Sequence, residues 1–222
     1  MGPVQINTVQ INTESGAALA ELDGDAATAR FLLVLTHGAG GSAGAPDLLA
    51  AGDAARQLGG LVARVTQPYR IRGARAPGSP ARQDAAWAEV VTALRKLAPD
   101  VPLVQGGRSN GARVACRTAA ALGVRAVIAL AFPLRPPGRS PVVSRVAELR
   151  AAREAGVRVL VVNGDRDPFG IPDTQDADRV VVVPGETHAM KGHPAEIATA
   201  ITEWLPAVLS ATLGQSEGLK KG

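Results

Sequence analysis

Gly107-Arg108-Ser109-Asn110-Gly111 lies between an apolar, strand-like run, Val101 to Gln105, and a helix-like run, Ala112 to Leu122. The two glycines leave room for a tight strand-to-helix turn, where the backbone is strained and neighbouring chain comes close. Such a turn lifts the Ser109 hydroxyl clear of a sheet edge. The unpaired N–H groups of the following helix then point toward any negative charge that develops there. The stretch predicts an α/β sheet carrying a serine nucleophile at its edge.

An unassisted serine hydroxyl is a poor nucleophile. It needs an imidazole to take its proton and a carboxylate to fix the imidazole's tautomer. With this kind of turn the acid and then the histidine follow the serine in the chain, each after a strand. Val157 to Asn163 reads as a buried strand and runs into Gly164-Asp165-Arg166-Asp167-Pro168-Phe169-Gly170. Val180 to Val183 reads as another and is followed by Pro184-Gly185-Glu186-Thr187-His188. Ser109, Asp167 and His188 fit the three roles, with Asp165 the competing acid.

Upstream, the apolar run Phe31 to Leu35 ends in Thr36-His37-Gly38-Ala39-Gly40-Gly41-Ser42. A loop of this kind can turn backbone N–H groups inward. An acyl-transfer oxyanion needs two such donors, one from the residue after the nucleophile and one from this loop. Asn110 and Ala39 are the candidates, with Gly40 less favoured. The loop lacks the Gly-x-x-x-x-Gly-Lys-Ser/Thr spacing of a phosphate cradle. His37 reads as an orienter of the loop, since His188 already holds the expected position of the base.

With these residues in view, the chain resembles an α/β-hydrolase from about Phe31 to Leu209. Within that superfamily it is most similar to the small, cap-less branch of dienelactone-hydrolase-like proteins and testis-expressed protein 30 type predicted hydrolases. The resemblance rests on His37-Gly38-Ala39-Gly40, on Gly107-Arg108-Ser109-Asn110-Gly111 with Arg113, and on Phe132-Pro133-Leu134-Arg135-Pro136-Pro137-Gly138. Dienelactone hydrolases carry a cysteine nucleophile where this chain has Ser109, so their substrate is not carried over. The resemblance implies a mostly parallel central sheet flanked by helices on both faces, with no separate cap domain. It also implies a serine hydrolase of carboxylesterase type that works through an acyl-enzyme on a small-molecule acyl substrate. A catalytically silent interaction module is the alternative, because fold alone does not fix function. Asp167 is preferred over Asp165 because its Asp-Pro pair resembles the superfamily's acid loop and Pro168 restricts the backbone. Asp165 is left to cap or brace the turn. Ester, thioester and peptide substrates stay equally open, as does the oligomeric state.

The 222 residues suit one domain over 1–222, with 1–8 and 214–222 expected as flexible ends. Hydrophobic residues make up 46% but aromatics only 3%, so the core must be built from Ala, Val, Leu and Ile. The net charge of +4 and pI near 9.8 raise the question of nucleic acid. Arginine is nevertheless spread along the chain without interleaved aromatics, which argues against nucleic acid. Cys116 falls in the helix after the nucleophile turn and reads as a small core residue. The N-terminus has neither a leader pattern nor a myristoylation signal, and no apolar run is long enough for a membrane span, so a cytoplasmic, membrane-free protein is expected.

Strands are expected near Val9 to Thr13, Ala17 to Leu22, Phe31 to Thr36, Leu61 to Thr66, Val101 to Gln105, Ala126 to Ala131, Val157 to Asn163 and Arg179 to Val183. Helices alternate with them from Pro46 onward, which implies a mostly parallel sheet with its site at the strands' C-terminal ends. Trp87, Val90, Val91 and Leu94 form one buried helical stripe. A second stripe, Ile197, Ile201, Trp204, Leu205 and Val208, contains Pro206, which is expected to kink or end its helix. Val4 to Thr8 is repeated as Val9 to Thr13, and the odd period lets only one copy face the core. The second copy is expected to pair and the first to fray or bulge.

Two loops are expected to shape the pocket: Gln67 to Pro80 with Tyr69, Arg70, Arg72 and Arg75, and Phe132 to Pro141 with Arg135 and Arg139. Neither is long enough for a helical lid, so an open site for small substrates is expected. Candidate substrate contacts are His37, Gly40, Tyr69, Arg70, Leu134 and Phe169. Arg70, Arg72 and Arg135 predict a modest preference for negative charge near the acyl group. His188 and His193 lack the one-face spacing of a helical zinc site, and neither a metal nor a cofactor is expected.

Overall fold

In a computed structural model, residues 7–136 and 143–211 are described. Eight strands form one sheet in the order β1-β2-β4-β3-β5-β6-β7-β8. They are β1 (Asn7–Thr13), β2 (Gly16–Asp23), β3 (Phe31–Thr36), β4 (Gly60–Thr66), β5 (Leu103–Arg108), β6 (Ala126–Leu130), β7 (Arg158–Gly164) and β8 (Arg179–Val183). The hairpin β1-β2 and the β2-β4 pair are antiparallel, and the remaining pairs are parallel. The helices are α1 (Pro46–Gln57), α2 (Pro68–Ile71), α3 (Pro80–Arg95), α4 (Asn110–Thr118), α5 (Val146–Glu154) and α6 (Pro194–Ser210). Among the described residues nothing forms a separate cap domain, and no helix is long and apolar enough to cross a membrane.

Strands β3, β6 and β7 are largely apolar because both of their faces are covered. Along β3, Leu32 and Val34 enter one core with Trp87, Val90, Val91 and Leu94 of α3 and Val114 of α4. Phe31, Leu33 and Leu35 enter the opposite core with Leu48 of α1 and with Ile197, Ile201 and Trp204 of α6. Strands β6 and β7 alternate in the same way: Val127, Ala129, Val159 and Val161 face the first core, Ile128, Leu130, Leu160 and Val162 the second. Trp87 is fully buried and donates its Nε1–H to Gln105 Oε1 at 2.8 Å, which places it in the core rather than on a binding surface.

The chain leaves β3 through α1 to β4 on one side and returns through α3 to β5 on the other. This reversal opens a crevice at the C-terminal ends of β3 and β5, where open α/β sheets hold their ligands. The His37–Ser42 loop follows β3 and the Ser109 turn follows β5, so both candidate motifs arrive at one place.

Two local expectations are narrowed, one at Pro206, where a helix end is ruled out, and one at the start of β1. Pro206 does not end α6, which continues to Ser210. Pro206 is exposed, so the carbonyl one turn earlier that loses its helical donor lies on the helix's solvent side, and Trp204, Leu205 and Val208 anchor the other side. Strand β1 begins at Asn7, so Asn7 and Thr8 of the first repeat copy pair with Leu22 and Glu21 instead of fraying. Ile11 is the buried residue of that strand, with Val9 partly buried against the same core. The rest of the first copy and the residues beyond Ala211 lie outside the described residues.

Candidate active site

Ser109 has φ 54° and ψ −111°, a conformation that costs a non-glycine residue energy and that only a firmly held turn maintains. The flanking glycines make the turn possible by close approach. A Cβ on Gly111 would lie 2.5 Å from the Thr36 carbonyl oxygen and 2.8 Å from that of His37. One on Gly107 would collide with the Thr36 carbonyl oxygen and lie 2.9 Å from Gly111. The turn is pinned by the Ser109 N–H to the Leu130 carbonyl at 2.9 Å and by the Arg113 N–H to the Ser109 carbonyl at 3.1 Å.

Ser109, Asp167 and His188 meet at this edge. His188 Nε2 lies 2.8 Å from Ser109 Oγ, and His188 Nδ1 lies 2.8 Å from Asp167 Oδ2. With the Nδ1–H donated to the carboxylate, Nε2 is left to accept the serine proton. The carboxylate is aimed by its surroundings: Oδ1 accepts the Phe169 N–H at 2.9 Å, and Asn163 Nδ2 approaches Oδ2 at 3.5 Å. The Phe169 ring packs on the His188 ring with centroids 4.2 Å apart. Asp165, the competing acid, accepts the Gly185 N–H at 2.7 Å and braces the two post-strand loops against each other.

The Gly38–Gly41 loop closes with the Gly41 N–H on the Gly38 carbonyl at 3.0 Å and Gly40 at φ 70°. A Cβ on Gly38 would lie 3.2 Å from Ser109 Cβ, so the loop runs directly against the nucleophile turn. Among the described residues, no hydrogen bond engages the Ala39 or Asn110 backbone N–H.

The proposed substrate contacts separate. His37 is fully buried and donates Nδ1–H to the Gly38 carbonyl at 2.9 Å while Nε2 accepts the Gln67 N–H at 3.1 Å. With both nitrogens occupied it braces the loop and offers nothing to a substrate, which corrects its assignment as a contact. Burial lowers its pKa, against the opposing pull of the Gly38 carbonyl, with Arg70 and Arg108 adding to the fall. Tyr69 is 5% exposed and lines a separate hollow of about 120 Å³ with Ser15 and Arg72, again away from the expected role. Arg72 donates to the Ser15 carbonyl in the β1-β2 turn, and Arg135 is exposed. Leu134 is half-buried and would lie 3.7 Å from a Cβ on Gly170, beside the acid loop. Arg139 and Gly138 lie outside the described residues.

Three supporting residues escaped sequence reasoning. Asn163 receives the Phe132 N–H at 2.8 Å and donates to the Phe132 and Gly170 carbonyls at 3.2 and 3.3 Å, tying the acid loop to the end of β6. Its signal was a lone amide closing an apolar strand. Glu186 holds the His188 loop by accepting the Thr187 and Gly192 N–H groups and facing His193 Nδ1 at 3.2 Å. Burial alone would raise its pKa, but His193 and the two N–H groups outweigh it and hold the carboxyl below its ordinary value. Asp47, fully buried in the first turn of α1, faces Arg108 Nε at 3.3 Å, and Arg108 Nη1 reaches the His188 carbonyl at 3.4 Å.

Residues 29–189 match the alpha/beta hydrolase domain family. Three solved structures share the fold. The lidless α/β serine hydrolase XC6422 from Xanthomonas campestris is 21% identical, with 93% of this chain and 98% of that chain covered and a TM-score of 0.69. Est1E from Butyrivibrio proteoclasticus is 17% identical over 91% and 99% of the two chains, with a TM-score of 0.70. The dienelactone hydrolase from Anabaena variabilis is 17% identical over 94% and 100%, with a TM-score of 0.71. No curated protein matches the chain.

Proposed function

Because the chain belongs to the alpha/beta hydrolase domain family, we propose that it is a serine hydrolase cleaving small carboxylic esters through an acyl-enzyme. One observation carries this reading: the continuous relay from Asp167 through His188 to Ser109, with both links at 2.8 Å. Ser109 Oγ attacks the ester carbonyl while His188 Nε2 takes its proton, and Asp167 stabilises the imidazolium that results. The carbonyl oxygen, now an oxyanion, is received by the Ala39 and Asn110 N–H groups. The imidazolium returns its proton to the departing alkoxide as the C–O bond breaks, leaving the acyl group on Ser109. Water activated by the same imidazole then attacks the acyl carbonyl, and the carboxylic acid leaves as Ser109 regains its proton. The half-buried serine and the lack of a separate cap among the described residues favour small, readily admitted acyl groups over a tunnel for long chains.

The test is labelling with a fluorophosphonate, followed by turnover of esters of graded acyl length. Ser109→Ala should lose the label while keeping a cooperative unfolding transition. Wild-type protein that neither labels nor turns over any ester would leave the alternative, a non-catalytic interaction module, as the better reading. A preference for long acyl chains would refute the open pocket.

A further inference from the structure

The loop that carries Ala39 also walls a second feature. An open hollow of about 590 Å³ lies between this glycine-rich loop and the first turn of α1, and the rest of its lining is basic: Arg70, Arg75, Arg108 and Lys191. The four cations come from four separate segments, namely α2, the α2-α3 connection, the nucleophile turn and the loop after His188. They converge on one hollow, and among the described residues no acidic side chain lines it.

The cations differ in how much charge they leave uncompensated. Arg108 is paired with the buried Asp47. Arg70 is fixed by two backbone acceptors, Nε–H on the Gly41 carbonyl and Nη1–H on the Ala74 carbonyl, both at 3.1 Å. Those bonds hold its guanidinium against the loop without neutralising it. Among the described residues, Arg70, Arg75 and Lys191 have no carboxylate within ion-pair distance. Arg113 and Arg117, by contrast, are neutralised by carboxylates, Glu148 at 2.5 Å and Asp84 at 2.6 Å. Like charges gathered without partners repel one another, and an anion placed among them relieves that repulsion. The helix terminus is not the attraction, since α1 opens with Pro46, which has no N–H, followed by the carboxylate of Asp47.

We propose that this hollow is a subsite for a phosphate monoester group carried by the substrate, a few bonds from the ester that Ser109 attacks. The inference rests on the serine-hydrolase reading for its scissile bond. Ala39 belongs to both the hollow and the oxyanion loop, which sets the short spacing. A carboxylate would balance only one of the three uncompensated cations. A phosphate monoester carries nearly two negative charges and three acceptor oxygens, enough to engage the remaining donors of Arg70, the Arg75 guanidinium and a lysine. A nucleic-acid strand is disfavoured because, among the described residues, no aromatic side chain lines the hollow to stack a base.

Three short esters of equal acyl group separate the possibilities: acetoxyethyl phosphate, its unphosphorylated counterpart acetoxyethanol, and the carboxylate analogue acetoxypropionate. The phosphorylated ester should be preferred over the neutral one by at least about tenfold in kcat/KM, mainly through KM. That ratio should fall by about tenfold in Arg75→Gln with Lys191→Gln, and it should shrink as salt rises. Arg75→Gln alone, far in sequence from His188, should move the ratio in the same direction. Titration of Ser109→Ala protein with inorganic phosphate, read by heat of binding, should saturate and should weaken in the same cation variants. Equal rates for the phosphorylated and neutral esters, or a carboxylate ester that matches the phosphorylated one, would overturn the proposal. If no ester is turned over and Ser109 does not label, the hydrolase reading fails, and the phosphate titration still decides the hollow: no saturable binding refutes it.

Discussion

Asp47→Asn keeps the shape of a fully buried side chain and removes its charge, so it isolates what burial does to that charge. Neither carboxylate oxygen of Asp47 has a hydrogen-bond partner, and its counter-charge is Arg108 Nε at 3.3 Å. Burial pushes the Asp47 carboxyl up from 3.8 to about 6, with Arg108 pulling the other way and Glu186 adding to the rise. Arg108 keeps 17% of its side chain exposed, so the loss of hydration falls on the carboxylate. Between about pH 4 and pH 6 the native state therefore holds a proton that the unfolded chain has released, and stability falls as pH rises through that window. A rise of about two units corresponds to about 3 kcal/mol, fully present below the unfolded value and fully lost above the folded one. Urea unfolding of both proteins from pH 4 to pH 8 should give a wild-type minus variant difference that falls by about 3 kcal/mol across the window and then stays level. All other titrating groups are common to the two proteins, and only the slope is diagnostic, because the neutral amide also leaves Arg108 without its counter-charge. A flat difference would refute the desolvated carboxylate, and a rising one would mean that the pairing with Arg108 outweighs burial.

Gly111→Ala would press a methyl group against two backbone carbonyls that cannot swing aside. It should cost about 1–3 kcal/mol in urea unfolding and slow fluorophosphonate labelling, and wild-type values for both would show that the turn has room to spare. Asp167→Asn should lower kcat by about 10⁴-fold with little change in KM, whereas Asp165→Ala, which frees only the Gly185 N–H, should keep most activity. The reverse pattern would transfer the acid's role to Asp165. Cys116 is fully enclosed and burial pushes its thiol pKa well up, so a thiol reagent should modify it only once the protein is unfolded; rapid reaction of the native protein would contradict its place in the core.

What was legible in the sequence is what repeats locally. Strands β3, β6 and β7 announced themselves because a strand covered on both faces is mainly apolar, and Gly107 near the end of β5 marks the turn that needs it. The edge strand β1 was legible through its repeat, but its start was not, since pairing of Asn7 and Thr8 is paid for by the β2 backbone rather than by core burial. The short helix α2 went unseen within a loop rich in arginine and proline. Ser109, Asp167 and His188 stood out as candidates because each follows a strand in a fixed chain order, and the fold brings the three together. Asp47, Asn163 and Glu186 could not, because each acts on a backbone or side chain brought near only by the fold, and isolated polar residues carry no periodicity. The substrate contacts fared worst for the same reason: His37 and Tyr69 sit in the right segments but turn toward the interior, a choice made by tertiary packing.

The supporting residues fall into a pattern that an open site requires. Where a cap closes over a substrate, closure itself can complete the geometry of the reacting groups. Among the described residues nothing here forms such a cap, so the geometry must be held before a substrate arrives. His188 is fixed by four independent groups: Asp167 on Nδ1, the Phe169 ring on its face, Arg108 at its carbonyl, and Glu186 on the N–H groups of its loop. Arg108 is the link between these supports, since it stands beside Ser109 in the chain, reaches the His188 loop and is itself held by Asp47 at the start of α1. The buried carboxylate is thus a destabilising group in a position where it does more than fill space. Neutralising it would leave the fold its packing but remove the charge that fixes Arg108, and with it the cross-connection between nucleophile turn, base loop and oxyanion-side helix. On the serine-hydrolase reading, the stability cost at Asp47 and the pre-set geometry of the site are two consequences of the same contact.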